Sequence, residues 1–455
     1  MRHVQYVVVG GGISGAILLH RLASTGADVL LLEQGDRLGG VIRTNRFAGA
    51  LIERGPNTLQ TGNEYLQSII EELGLSDQMI ATDSAAHHRF VLRSGALIAV
   101  PSNPRSFIET PLISLKGKLR LMREWFSKPN VQGDRDESIA SFVERHFGRE
   151  SLTYAVDPLV SGIYAGDPKE LSLRHTFPLL AELERSDGSI LKGMMRRGKE
   201  RKRSGEPRRK RNIFSFRGGL QAIPDAVERK WGEKIICGAD VKPLERTEDG
   251  WRVVAVQEGG IEVVRAEKVV LAVNAPVAAE LIEPVGKKLS ETLRQIPYAP
   301  VALVYLLYDR SAIAHPLDGF GLLVPGEEER GVLGIIFSST IFPSRVPEGK
   351  ALLTLFIGGM RQPDLAEQSS EALVALAQGE AANILSISKA PEMAEVTRWP
   401  TAIPQYIVGY DRILAGLEEG EKSLPGLHLL GSYRGGVSVP DCVKSACELA
   451  DTLSR

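Results

Sequence analysis

The chain has 455 residues, 43% of them hydrophobic and 24% charged, and its formal net charge is −1. That length exceeds one ordinary core, so two or three domains are expected, and the composition is that of a globular protein. The balanced charge excludes the global basic field that nucleic-acid binding needs.

The three cysteines, Cys237, Cys442 and Cys447, have neither metal-ligand spacing nor a disulfide framework, so no metal site is expected. No apolar run reaches the ~18 residues of a spanning helix, and no leader-like segment precedes the first strand. The expectation is a cytoplasmic protein, at most peripheral on the inner face of a membrane.

The chain opens on an apolar strand, Tyr6-Val7-Val8-Val9, followed by Gly10-Gly11-Gly12-Ile13-Ser14-Gly15. A helical stretch and a second apolar run, Val29-Leu30-Leu31-Leu32, lead to Glu33. Each part of this pattern has a physical task. Gly10 permits the tight turn, Gly12 lets a pyrophosphate approach the backbone, and Gly15 lets the helix lie close to the sheet. The helix N-terminus offers free N–H groups to phosphate, and Glu33 can accept hydrogen bonds from ribose hydroxyls. The six residues from Gly10 to Gly15, with Glu33, are therefore candidate dinucleotide ligands. A second glycine-rich segment, Arg37-Leu38-Gly39-Gly40-Val41, and then Gly55-Pro56-Asn57-Thr58, give a further close backbone approach and a cation near the diphosphate. Taken alone, these would read as a polar turn and a hairpin.

Residues 101–185 turn to helical spacing, with a helix across 138–147 closed by Gly148. Residues 192–211 then hold eleven Lys or Arg against Glu200 and Glu206. Such a run reads first as a solvated, mobile loop and second as a contact for anionic lipid or an acidic partner. Beyond it, 268–276 reads as a buried strand ending in a turn. Apolar runs at 301–308, 319–324, 332–337 and 352–357 suggest a mixed sheet. Residues 427–437 read as a strand and glycine turn, and 443–453 as a helix whose N-terminus is a second candidate dipole for the cofactor. The dinucleotide-binding parts are thus separated in sequence. A single fingerprint favours an oxidase, or a dehydrogenase with a diffusible acceptor, over a nicotinamide-linked reductase.

The N-terminal tandem resembles the flavin-binding start of the amine-oxidase-like flavoprotein superfamily, which implies FAD. A longer ordered set resembles the oxygen-dependent protoporphyrinogen oxidase family. It comprises Gly39-Gly40-Val41-Ile42-Arg43-Thr44, Val100-Pro101-Ser102-Asn103-Pro104, residues 157–172, Phe216-Arg217-Gly218-Gly219-Leu220 and residues 431–442. The resemblance implies an α/β fold (α+β overall). A Rossmann-like FAD domain would comprise 1–80, 210–285 and 415–455. A mixed-sheet substrate domain (81–107 and 286–414) and a helical, membrane-associating domain (108–209) would be inserted in it.

The reaction implied removes six electrons from a porphyrinogen by hydride transfer to FAD, which oxygen then regenerates. By the same resemblance Arg89 pairs with a substrate propionate, Leu323 and Ile336 sandwich a pyrrole ring, Phe356 stacks on it, and Gly162 and Ala165 leave room beside the flavin. The family more often carries leucine at the position of Ile336. Val241, Ser432, Val437, Ser438 and Val439 complete the flavin ligands. Read without the family, Arg89 is a surface arginine and the apolar positions are ordinary core. No acid–base dyad is evident, since His87 and His88 read as a solvated strand end, and no catalytic side chain is assigned. The alternatives are a coproporphyrinogen oxidase on the same fold, an amine oxidase or carotenoid desaturase, and a flavin-bearing binding protein without turnover.

Overall fold

In the computed structural model, which describes residues 2–128, 136–204 and 212–454, two large sheets dominate. The first forms around β1 (Arg2–Val9), whose neighbours β2 (Val29–Leu32) and the strand Gly260–Leu271 both run parallel to it. Helices cover both faces, which is why Val7, Val8 and all four residues of β2 are buried. Ile235–Ile236 extends the sheet beyond β2, and Leu427–Leu429 pairs in parallel with Gly260–Leu271. The hairpin partner Gly250–Gln257 and then Asp240–Val241 add antiparallel strands.

The helix α1 (Ile13–Ser24) is buried for most of its length, between the sheet and the C-terminal helix Val439–Leu453. Glycine is required where α1 meets the strand. A Cβ on Gly15 would lie 1.9 Å from the Gly10 carbonyl oxygen, and Gly10 itself has φ +103°.

The second sheet has seven strands. Five are β3 (His88–Arg93), β4 (Ala96–Ala99), β5 (Tyr298–Asp309), β6 (Gly319–Leu323) and β7 (Gly334–Phe337). The others are β8 (Lys350–Gly358) and β9 (Met393–Pro404), and the order is β9-β5-β8-β7-β6-β3-β4. Only β3 and β6 are parallel. One face buries Leu92, Leu322, Ile335, Leu353 and Leu355 against Leu373, Ala377 and Ala381 of the helix Ser370–Leu385. Strand pleating sends the intervening residues to the other face.

A helical segment follows β4 in sequence. It includes α2 (Leu115–Glu124), Ile139–Phe147, α3 (Asp157–Tyr164) and Pro178–Asp187. A π-helical turn, Leu152–Val156, leads directly into α3. One expectation changes here. The basic run was expected to be a mobile loop, yet Ile190–Arg203 is a helix, α4; residues 205–211 lie outside the described residues. The acids that offset its charge stand both within the run, where Glu200 accepts from Arg196 at 2.9 Å, and upstream of it. Asp187 forms a fork with Arg196 at 2.7 and 2.9 Å, and Glu182 pairs with Arg197. The buried Glu124 carboxylate accepts from Ile190 N (2.6 Å) and Ser189 Oγ (2.9 Å), fixing the α4 N-terminus.

The C-terminal helix begins at Val439 rather than Val443. Ser438 and Asp441 form a capping box there, so that N-terminus is closed by the chain's own carboxylate. It is a poorer free dipole for a cofactor than α1 is.

Candidate active site

The N-terminus of α1 is open. Gly12 caps the helix without a side-chain bond, and the first turn holds no acidic residue. A Cβ on Gly12 would meet nothing within 4 Å, so unfilled space lies where a diphosphate would sit. The second glycine segment closes on this point. Gly12 bridges Gly39, and Gly39 N donates to the Gly11 carbonyl at 2.8 Å. A Cβ on Gly40 would be 3.2 Å from Gly12 Cα. Gly55 lies so close to Val41 that a Cβ would be 2.2 Å from its carbonyl oxygen, and Asn57 Nδ2 donates to Gly55 O at 3.0 Å. Pro56 and Thr58, both half-buried, flank Asn57. Ile13 is buried in the core, so its offering to the site is its backbone.

At the far end, the Glu33 carboxylate accepts from Gly11 N (2.5 Å) and Gly35 N (2.7 Å). Each oxygen keeps a lone pair for a ribose hydroxyl. Ala239 N donates to Glu33 O at 2.8 Å, which brings Val241 to the same end. Arg37 is half-buried; burial, then the nearby Arg43 charge, pull its guanidinium below the ordinary value, and it remains a cation.

On the opposite flank Ser14 meets the Cys442 thiol, which burial pushes up to about 11, so it is a neutral packing group. The turn from Ser432 to Val437 is pinned by Tyr406. Its hydroxyl donates to Ser432 O at 2.6 Å and accepts from Gly436 N at 3.0 Å. Ser438 and Val439 begin the helix behind it.

The second half of the site is a wall on the free face of the seven-stranded sheet. Register places Arg89, Gly321, Ile336, Thr354 and Tyr305 side by side across β3-β6-β7-β8-β5. The next row is Val91, Leu323, Gly334, Phe356 and Leu303. Arg89, Leu323, Ile336 and Phe356 thus share one face in two adjacent rows. The helix α3 lies over them. A Cβ on Gly162 would be 2.9 Å from Leu323 Cδ2. Ala165 ends α3 in the left-handed region, with φ 47°, and its carbonyl accepts from Met360 N at 2.8 Å. Four of the six expected substrate residues thus lie on this sheet face, and α3 sets Gly162 against Leu323 and Ala165 in the apolar cluster that Phe356 joins.

Arg89 is exposed at the edge of this wall, with its guanidinium 5.5 Å from the Phe320 ring centroid. No carboxylate pairs with it among the described residues. The β5–β9 half of the same face is covered by the segment after the hairpin strand Ala50–Glu53. Tyr305 Oη donates to Glu53 O (2.8 Å) and Trp399 Nε1 to Arg54 O (2.6 Å). The segment that leads to Gly55 therefore lies beside the Phe356 end of the wall. His88 points to the opposite face, stacked on Phe90 with centroids 5.9 Å apart, and His87 is engaged with Ser84 O. Neither histidine is on the wall's face.

Two pairs that hold this arrangement escaped the sequence reading. Glu53 accepts from Thr44 Oγ1 (2.6 Å), Leu220 N (3.0 Å) and Arg345 Nη1 (3.1 Å). Arg345 also donates to Ser215 Oγ at 2.6 Å. The motifs at 39–44 and 216–220, noted separately, thus meet around one carboxylate two residues before the Gly55 segment. Burial, as the largest influence, raises the Glu53 carboxyl above the ordinary range and lowers the Arg345 guanidinium. The second pair, Asp157 with Arg361, fastens α3.

A dinucleotide cradle beside an apolar sheet face is an arrangement that suits a flavin-dependent oxidoreductase. The sequence profile of the flavin containing amine oxidoreductase family matches residues 11–454. The chain belongs to that family and is an FAD-dependent oxidase. Among curated relatives it is 34% identical to the chloroplastic protoporphyrinogen oxidase of Oryza sativa subsp. japonica, over 98% of this chain and 88% of that one. It is 32% identical to the protoporphyrinogen oxidase of Homo sapiens, over 98% and 97%. A solved structure from Exiguobacterium sp. 255-15 superposes with a TM-score of 0.83 at 24% identity, covering 99% of this chain and 98% of that one. That likeness speaks to fold.

Proposed function

We propose that the chain oxidises protoporphyrinogen IX to protoporphyrin IX, with FAD as the electron acceptor and oxygen as the terminal one. The observation that carries this reading is the make-up of one sheet face and of the helix over it. One unpaired cation, Arg89, stands at the edge of a wall otherwise built from Leu323, Ile336 and Phe356, faced by Gly162 and Ala165. A flat apolar macrocycle with two carboxylates on one edge matches that shape and charge. Coproporphyrinogen carries four carboxylates and calls for cations at more than one edge.

The residues from Gly10 to Gly15, with Glu33, Arg37, Gly40, Val41, residues 55–58, Val241, Ser432 and residues 437–439, would hold FAD. When bound there, FAD supplies hydride acceptance. The chain's own work is orientation. Arg89 offers a planar fork that fits a propionate better than an ammonium does. Phe356 gives a stacking face, and Leu323 and Ile336 keep water from the ring. The small residues Gly162 and Ala165 allow close approach. Three hydrides and three protons leave in all; net, two of the protons come from pyrrole nitrogens and one from a meso carbon, and no side chain is assigned as their acceptor.

The proposed division assigns 1–80, 210–285 and 415–455 to cofactor binding, 81–107 and 286–414 to substrate binding, and 108–209 to a helical unit. For that unit we propose peripheral contact with an anionic membrane surface. No helix among the described residues is long and apolar enough to cross a membrane. Yet α2 exposes Leu115, Leu119 and Met122, with Phe126 just beyond, and α4 exposes Met194 and Met195 among its basic residues. The 115, 119, 122, 126 spacing is one helical stripe.

Anaerobic mixing of the holoprotein with each porphyrinogen in turn tests the substrate. Flavin bleaching and porphyrin fluorescence should appear with protoporphyrinogen IX. Arg89→Ala should lower kcat/KM about ten- to hundred-fold, the value of a lost charged hydrogen bond, with FAD content unchanged. Arg89→Lys should recover only part. Equal or better bleaching by coproporphyrinogen III, or an Arg89→Ala variant with unchanged kcat/KM, would overturn the reading.

A further inference from the structure

The chain leaves β8 two residues after Phe356 and turns back under α3. In doing so it grips that helix at both ends. At the C-terminal end Met360 N donates to Ala165 O at 2.8 Å. Toward the N-terminal end Arg361 Nη1 reaches both oxygens of Asp157, at 2.6 and 2.8 Å, and Nη2 reaches Ser161 Oγ at 2.7 Å. Asp157 also accepts from Gly326 N at 2.8 Å, which ties the same carboxylate to the loop after β6.

The two charged side chains are 21% and 11% exposed, so the pair is screened from water far more than a surface ion pair. A short helix moves as a rigid rod. Fixing residues 157, 161 and 165 therefore fixes Gly162, whose absent side chain leaves only contact distance to Leu323. The strand that carries the stacking ring Phe356 and the clasp that sets the facing helix are one continuous segment.

From this we infer that Arg361 is a positioning residue: through Asp157 and Ser161 it sets how closely α3 stands against the Leu323–Ile336–Phe356 wall, and so which porphyrinogen ring that wall accepts. The inference rests on the substrate reading above. Arginine is the residue suited to this task because its planar fork engages two partners in fixed geometry, whereas a lysine contacts them one at a time. Loosening the clasp should weaken binding of the ring that fits and favour the bulkier one, while the cofactor cradle is untouched.

The test uses the FAD-loaded full chain with Arg361→Lys and, as a milder variant, Ser161→Ala. Both kcat and KM are measured for protoporphyrinogen IX and for coproporphyrinogen III, together with FAD content. Arg361→Lys should raise KM for protoporphyrinogen IX several-fold and change kcat much less. The ratio of kcat/KM for protoporphyrinogen IX over coproporphyrinogen III should fall in both variants, less in Ser161→Ala. A general structural defect would lower both substrates alike and leave the ratio constant. A constant ratio in either folded variant, with normal wild-type turnover, overturns the positioning role alone. A wild-type protein that oxidises neither porphyrinogen overturns the functional reading itself.

Discussion

Replacing Arg345 by Met tests whether the buried Glu53–Arg345 pair joins the two halves of the molecule. Glu53 is 5% exposed and Arg345 8%, so water cannot replace a lost partner. In Arg345→Met, Glu53 keeps only the Thr44 hydroxyl and the Leu220 amide as donors. Removing one member of a buried pair costs about 3–5 kcal/mol, mostly the penalty of an uncompensated charge. Unfolding entropy of roughly 2.1 cal/mol/K per residue, summed over the chain, turns that into a drop of about 3–5 °C if it melts as a unit.

The pH dependence has a definite sign. Burial already raises the Glu53 carboxyl above its ordinary 4.5, and losing the Arg345 charge raises it further. A raised folded-state value means stability that is complete below the ordinary value and is lost as pH rises through the folded one. The deficit of Arg345→Met relative to wild type should therefore shrink between pH 8 and pH 5. Flavin release and near-ultraviolet circular dichroism on heating provide the assay. Adding Glu53→Gln should restore part of the loss, because the stranded charge is gone. A deficit that does not change with pH, or a double variant as unstable as the sum of the singles, would show that Glu53 is not a buried, uncompensated carboxylate and would refute the reasoning.

Gly12→Val should leave a folded apoprotein that cannot retain FAD, because the new side chain enters the cofactor space and its Cβ meets no protein atom within 4 Å; Gly15→Ala, at 1.9 Å from a carbonyl oxygen, should instead impair folding, as circular dichroism of the two would distinguish. Tyr406→Phe removes both hydroxyl bonds to the 432–437 turn and should weaken FAD binding about fivefold, the value of roughly 1 kcal/mol, in a cofactor titration. Leu119→Asp with Met122→Asp should reduce sedimentation with anionic liposomes and leave turnover in detergent unchanged; unaltered sedimentation would remove α2 from the membrane surface.

What could be read from residue order alone depended on how local its cause was. The glycine turn was readable because a Cβ at position 10 or 15 is forbidden by atoms of the same strand–turn–helix unit or of its neighbouring strand. The wall was not readable in that way. Gly334-Ile335-Ile336-Phe337 is apolar on both faces, so its pattern has no period to say that Ile335 enters the core and Ile336 the wall. Only cross-strand register settles it, and the family resemblance stood in for that register. The clasps were hidden for a different reason. Glu53 and Arg345 are 292 positions apart, and Asp157 and Arg361 are 204 apart. A lone charge in an apolar stretch announces burial but not its partner. Both clasps join the wall to its surroundings, one through the cofactor-side hairpin and one through α3. The wall residues set what the site accepts, and these distant pairs set whether the wall, the helix and the cofactor cradle stand at the spacing that makes acceptance productive.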